Sequence, residues 1–531
     1  MKNKKVNNNN KKKQAIKIGG MIGLFLLVFG ISFALFTVTL NGTKKNRITT
    51  GNLSLKLTEM DGTLISTAGN DYKTSTSYMI NLENEVPMSD KDGIATDGYE
   101  FKLVNDGSID ARYQMYLKVP SDVTLDAQYV KFELEQDGHV ISIPIAKLSQ
   151  VTHSNITDSE NDSFTIYKID GDLITHNTDT TYKLRLWVAE DASNEAMNKE
   201  FMAYVYVDAQ QRTATTNPFK DDTLAYVIFR DNPVIADVSS VSAGGFDSTK
   251  EQSGLYSTTD MNGGKTYFFR GNPTKTFYAD APGAAQGNKT LMTRILEDGS
   301  VVALSDVVAA DTTYASSNSQ LTTYPNTSIK SFIDTFDGII LDAGLDSFLS
   351  KKNHCFDTRI DTDNGYINLI KLMNGTNNVS TYGTYNNFDD HGTNWSSLSS
   401  DEDMISALKA SDVNIDLNCN AGDKYESYAF LPTAYDMLLA GTPLAGPFAQ
   451  NYLTNYIYEK GGSDTAWLAG PALNEDGEYK YYAYKVSDST GYIDHDSATE
   501  KNGVIVFATV NKYMKVGSGT GTSADPYILL G

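Results

Sequence analysis

Two cysteines in 531 residues, six histidines and three tryptophans are little to work with, and each shortage removes a class of function. Two isolated cysteines, Cys355 and Cys419, are either one disulfide or two inert thiols. The histidines, His139, His153, His176, His354, His391 and His495, are scattered, and none has another within seven residues. A helical zinc protease needs two imidazoles one turn apart with a carboxylate between them, so that chemistry has no motif here. Positive charge is short as well, with 44 Lys and Arg against 66 Asp and Glu, a net of −22. No basic stripe is left to neutralise phosphates, which argues against nucleic acid as a partner. The glycine-rich "GSGTGTSAD" (517–525) lacks the Gly-Lys-Ser/Thr of a phosphate loop and reads as a flexible turn. "DTDNGY" (361–366) begins like a calcium loop, but Gly365 takes a ligand position and the later Glu is missing. Acidic runs such as "DSENDS" (158–163) and "DHDS" (494–497) read as solvated loops. The expectation is therefore no catalytic residue, no metal ligand and no cofactor.

What the chain does have begins with its leader. Residues 1–17 carry seven lysines and no acid, and the 23 residues from Ile18 to Leu40 are uncharged. A positive stretch, an apolar stretch and small residues at the minus-three and minus-one positions make an export signal. Ser32 and Ala34 supply those positions, so cleavage is expected between Ala34 and Leu35. The same run could cross a bilayer of about 30 Å, and retention as a single-pass anchor with cytoplasmic lysines is the competing expectation. On either reading the remainder is exported. Loss of the leader takes the charge to 37 minus 66, or −29. Mutual repulsion then keeps chains apart unless cations screen it. In an oxidising compartment Cys355 and Cys419 are expected to pair as a disulfide, in preference to a reactive thiol beside His354. No apolar tail precedes Gly531, so attachment to a surface is expected through the leader or by association.

Periodicity divides the mature chain. "YEFKLVN" (99–105) and "RYQMYLKV" (112–119) alternate around "DGSIDA", whose Asp-Gly marks a turn. "TYKLRLWV" (181–188) sets Tyr182, Leu184, Leu186 and Val188 on one face and Lys183 and Arg185 on the other. "EFMAYVYV" (200–207) alternates less cleanly and suggests burial on both faces. Polar clusters such as "THSNITDSENDS" (152–163) read as loops between strands. Short strands with turns between them predict a β-sandwich. "QQRTATTNPFKDD" (210–222) changes composition, which places a linker after it begins. Beyond it strands mix with helices. Ile329, Phe332, Ile333 and Phe336 recur at helical spacing within 328–352, and "TAYDMLLAG" (433–441) opens with a Thr433/Asp436 capping box. The expected order is signal peptide or anchor 1–34, sandwich 35–210, linker 211–240 and α+β module 241–531.

The leader ending "SFALF", then "ITTGNLSLKLTE" and "PMSDKDGIATDGYEFKLVNDGSIDARYQMYLKV", together resemble the TasA and camelysin family of Gram-positive surface proteins. Thr50, Gly51, Leu53, Leu55, Pro87, Ser89, Asp90, Phe101, Asn105, Gly107 and Ala111 carry the likeness, over about residues 20–210. The resemblance implies a jelly-roll-like sandwich, export through a specialised signal peptidase, and filaments of the biofilm matrix. "GLYSTTDMNGGKTYFFRGN" (254–272), "CFDTR" (355–359), "LNC" (417–419), "LPTAYDMLLAG" (431–441), "AWLAGPA" (466–472) and the closing "GSGTGTSADPYIL" resemble an uncharacterised module of exported Gram-positive proteins. That module usually has a Gly-Val-Arg-Pro segment where this chain has "GVIVFAT" (503–509), so its Arg is missing here.

The expected fold class is thus multidomain, an N-terminal all-β jelly-roll-like sandwich followed by an α+β domain. The expected function is that of an exported, non-enzymatic surface or biofilm-matrix protein whose first domain self-associates and whose second serves adhesion. Expected partners are the chain itself, related matrix-fibre subunits, the export signal peptidase, and host or matrix glycans. The 32 tyrosines suit contact surfaces and sugar stacking as well as ordinary strands. A membrane-anchored monomeric adhesin or carbohydrate-binding protein is the alternative, and a camelysin-like metalloprotease is less favoured.

Overall fold

A computed structural model of the chain describes residues 52–67, 80–83, 85–142, 144–157, 161–192, 194–213, 216–237, 254–259, 264–269, 278–280, 290–316, 327–356, 423–433, 436, 465–475, 478–487, 490–522 and 524–530. Twelve strands form the first module: β1 (Leu55–Thr58), β2 (Leu64–Thr67), β3 (Ile80–Glu83), β4 (Tyr99–Asn105), β5 (Ala111–Pro120), β6 (Val130–Gln136), β7 (His139–Val140), β8 (Ala146–Lys147), β9 (His153–Thr157), β10 (Ser163–Ile174), β11 (Thr178–Val188) and β12 (Glu200–Gln211). One sheet runs β2-β1-β4-β11-β6-β7, with β8 also on β6, and the other runs β3-β12-β5-β10-β9. Their neighbours are antiparallel throughout. The chain passes repeatedly from one sheet to the other, as from β4 to β5 and through β10, β11 and β12, which is the weave of a jelly roll. Leu103, Leu134 and Leu184 from one sheet meet Met115, Leu117 and Val207 from the other in one core.

Local chemistry explains the corners. The Asp-Gly of "DGSIDA" is not a hairpin turn, because β4 pairs with β1 and β11 whereas β5 pairs with β10 and β12. Asn105 makes the arch between sheets: its amide nitrogen donates to the Ile109 and Ile174 carbonyls, and its amide oxygen accepts from Gly107 N at 3.1 Å. The true tight hairpin is β6–β7, where Asp137 and Gly138 both take positive φ and Gln136 pairs with His139. In β11, Tyr182, Leu184 and Val188 are buried as the alternation requires. Trp187, on the opposite face, is buried as well, beneath the short helix α1 (Asp90–Ile94) at Gly93, where a Cβ would collide with the indole. β12 alternates more cleanly than its sequence suggests, with Phe201, Ala203, Val205 and Val207 buried and the residues between them partly exposed. The polar stretch 153–157 is strand β9 and no loop. As the last strand of its sheet, with both faces largely in solvent, it needs no apolar alternation.

The segment read as a linker carries a helix, α2 (Leu224–Asp231), capped by Thr223, whose side chain accepts from Tyr226 N. Leu224, Ala225, Val227 and Ile228 are its buried residues. The second module follows with β13 (Val234–Asp237), β14 (Leu255–Thr259), β15 (Lys265–Phe268), β16 (Tyr278–Asp280), β17 (Thr290–Ile295), β18 (Val301–Thr313), α3 (Ser328–Asp342), β19 (Lys352–Phe356), β20 (Asp423–Ser427), β21 (Ala429–Phe430), β22 (Ala466–Glu475), β23 (Glu478–Ser487), β24 (Thr490–Ser497), β25 (Lys501–Val510), β26 (Lys515–Ser518) and β27 (Tyr527–Leu530). Its main sheet runs β13-β14-β15-β17-β18-β25-β22-β23-β24, while β19 and β20 stand as a separate pair. Helix α3 begins at the Thr327 cap and buries Ile329, Ile333 and Ile340. It stops ten residues short of the expected 352, because Gly344 takes a left-handed conformation. "DHDS" (494–497) belongs to β24, paired with β23, and "GSGTGTSAD" supplies the end of β26 and the turn to β27. The Thr433/Asp436 capping box is formed, with Asp436 N donating to Thr433 Oγ1 at 3.1 Å and Thr433 N to Asp436 Oδ2 at 2.8 Å. The chain is multidomain, a jelly-roll-like β-sandwich followed by a β-rich module with a smaller helical part.

Candidate functional site at the junction of the two modules

A group of buried and half-buried charges gathers where the sandwich meets the segment after β12. Asp221 accepts from Arg112 of β5, from Lys168 of β10 at 2.6 Å and from Gln114 at 2.8 Å. Gly171 permits this, since a Cβ there would collide with the Asp221 carboxylate, and Asp221 N donates to Gly171 O at 2.8 Å. Lys220 pairs with Asp170 and reaches Asp172 at 3.7 Å. Tyr182 donates to Asp170 at 2.8 Å and shares a second bond with Tyr113. From the other end of the chain, Val516 N donates to Asp222 O at 2.9 Å, and the neighbouring Lys515 feels both Asp170 and Asp222. Four cations, Arg112, Lys168, Lys220 and Lys515, therefore gather around three carboxylates, Asp170, Asp172 and Asp221, with the exposed Asp222 near enough to act on Lys168 and Lys515.

Burial sets the electrostatics of this cluster. It works against the charge of Asp170, but the Lys220 ammonium and the Tyr182 hydroxyl hold that carboxyl below its usual range. Asp172 has a more distant lysine, and burial together with the nearby Asp170 raises it. Burial also lowers Arg112 and Lys168 and pushes the Tyr113 and Tyr182 phenols well up. Each charge is answered by a neighbour, so the arrangement joins two bodies.

Beside it a cleft of about 550 Å³ opens between the two modules. His139 and Val140, at the tip of the β6–β7 hairpin, form one wall, and Asp346, Ser347, residues 349–352, Tyr428 and 511–514 form most of the other. Tyr513 links the cleft to the cluster. Its ring packs on the core of the sandwich and lies 5.2 Å from the His139 ring, and burial pushes its hydroxyl up to about 12. Lys512 sits 4.9 Å from the centre of the same ring. Lys352 is paired with Asp298, and Lys351 lies 3.8 Å from Glu426. Asp346 is exposed and has no ion pair among the described residues.

The residues singled out by sequence fall elsewhere. Ser32, Ala34 and Leu35 lie outside the described residues, as do Cys419, His391 and "DTDNGY". Cys355 is described only by its backbone, on β19 opposite Lys424. Its neighbour His354 is buried, stacked on Phe430 at 3.7 Å, with Nε2 2.9 Å from Ser427 O, which is a packing role. His176 pairs with Asp110 at 2.8 Å, and His153 caps its own turn at Val151 O. Among the described residues no group of three or more His, Cys, Asp or Glu side chains is placed to hold a metal ion. No described helix is long and apolar enough to cross a membrane, and the leader lies outside those residues. Among the described residues of the second module, Arg294 on β17 is a buried arginine, 3.1 Å from Asp436, while Gly503–Thr509 forms a buried stretch of β25. The junction charges escaped sequence reading, although "KIDGD" (168–172) inside a strand and "KDD" (220–222) inside a supposed linker were their trace. Comparison with protein-family models, curated proteins and solved structures gives no match to this chain.

Proposed function

We propose that the chain is an exported, non-enzymatic surface or matrix protein, whose sandwich self-associates and whose second module engages partners. The observation that carries this reading is the outer edge of β9. No described strand pairs with that side, and the bond from Lys168 N to Thr152 O sets the alternation along β9–β10. Counting on from it, the backbone groups of His153, Asn155 and Thr157 point away from β10. An edge of this kind is a template for a strand from another chain. The alternating "LFTVTL" (35–40), at the start of the mature chain if cleavage follows Ala34, supplies such a strand. A contact made head to tail in this way does not close, so it extends into filaments. The resemblance of the first half to the TasA and camelysin family supports the same reading.

The test is the association state of protein beginning at Leu35, followed by light scattering and electron microscopy. Assembly is expected, and it should be lost on deleting residues 35–42 and on Asn155→Pro, which blocks the edge while sparing the β10 ladder. Protein that stays monomeric at high concentration, or assembly indifferent to both changes, overturns the proposal. The 23-residue uncharged run favours a second reading, a monomeric adhesin held by its leader. N-terminal sequencing of the cell-associated protein decides between them: Leu35 first supports release, and an intact lysine-rich terminus supports the anchor.

A further inference from the structure

We infer that the cleft between the modules is a saccharide-binding site, which rests on reading the second module as the partner-binding one and names its class of ligand. Its volume, about 550 Å³, lies in the range of small-molecule sites. Its lining is mixed in a particular way. Lysines 351, 352 and 512 supply donors, and Asp298 and Asp346 supply acceptors, so the charges nearly balance. A polyanion finds little net attraction there and meets long-range repulsion from a chain of net charge −22. An apolar ligand would take Lys512 and Asp346 from water with no hydrogen bond in return, and would desolvate the Lys352–Asp298 pair. A hydroxyl group both donates and accepts, so a ligand rich in hydroxyls satisfies ammonium and carboxylate together. The Tyr428 ring adds a flat, amphipathic surface against which the C–H face of a sugar ring can pack.

The site exists only while both modules are joined, since His139 comes from one and Tyr513 from the other. The buried charge cluster fixes that relation, so the cleft is preformed and binding need not include the cost of closing it.

Titration calorimetry of the whole chain with cello-, chito-, manno- and galacto-oligosaccharides tests this, with heparin as the polyanion. Binding of at least one oligosaccharide is expected, weakened about tenfold or more by Asp346→Ala and by Tyr428→Ala, the loss expected for a broken hydrogen bond or stacking contact. Asp346 is exposed, so that variant keeps the test sound if Tyr428→Ala does not fold. Absence of binding to all of them, binding to heparin alone, or sugar binding unchanged in both variants overturns the inference. Light scattering on the same samples reports self-association separately, so failure of the cleft and failure of the filament reading are told apart.

Discussion

At the scale of single residues, burial decides the behaviour of the titratable groups. His354 is surrounded by apolar and cationic neighbours, and burial, opposed only by its bond to Ser427 and aided by nearby Arg294 and Lys352, pushes it down to about 3. The folded state therefore holds the neutral ring, while the unfolded chain takes up a proton near 6.5, the ordinary value. Stability contributed by this residue is complete above about 6.5 and is lost as pH falls toward about 3. Denaturation measured across that window is expected to show a slope that flattens in His354→Phe, whatever the variant's overall stability. An unchanged slope would mean the ring is not neutral in the fold. Tyr182 belongs to the same scale. Tyr182→Phe removes the donor to a buried carboxylate, and a loss of about 1–3 kcal/mol is expected in denaturant titration.

At the scale of elements, close packing around small residues governs what can change. Helix α1 sits on Trp187 through Gly93, so Gly93→Ala forces the helix off the indole. A loss of about 1–3 kcal/mol is expected, read as a lower melting temperature with the β-sheet spectrum retained. This scale also shows what the residues announced. β4, β5 and β11 were legible because one face of each is apolar and the other polar, and the start of α3 was legible from its isoleucine spacing. β9 was not, since an edge strand exposed on both faces has no alternation to read. Helix α2 was hidden behind polar residues that look like a linker, although its Thr223 cap and Leu224, Ala225, Val227 and Ile228 carry the helical period. The junction cluster was illegible for a further reason. Its members come from β5, β10, the 220–222 turn and β26, and only the tertiary fold shows that such charges are shared rather than solvated.

At the scale of the whole molecule, the cluster makes one cooperative body from two modules. Lys220→Met leaves Asp170 and Asp172 buried without their cation, and breaking a buried pair in this way costs about 3–5 kcal/mol. Calorimetry of the whole chain is expected to show a single transition that splits or broadens in this variant as the modules uncouple. Two separate transitions in the unaltered protein would contradict the coupling. The second module's sheet carries one more consequence. β18, paired on one side with β17, finds its other partner in β25, some two hundred residues later, and β16 pairs in parallel with β27 at 527–530. Contacts so distant in sequence make folding slow. The sheet cannot be completed before the last strands are made and free, so the second module acquires its shape in a late, concerted step. If the chain assembles as proposed, that delay postpones the joined form of the two modules until synthesis is over.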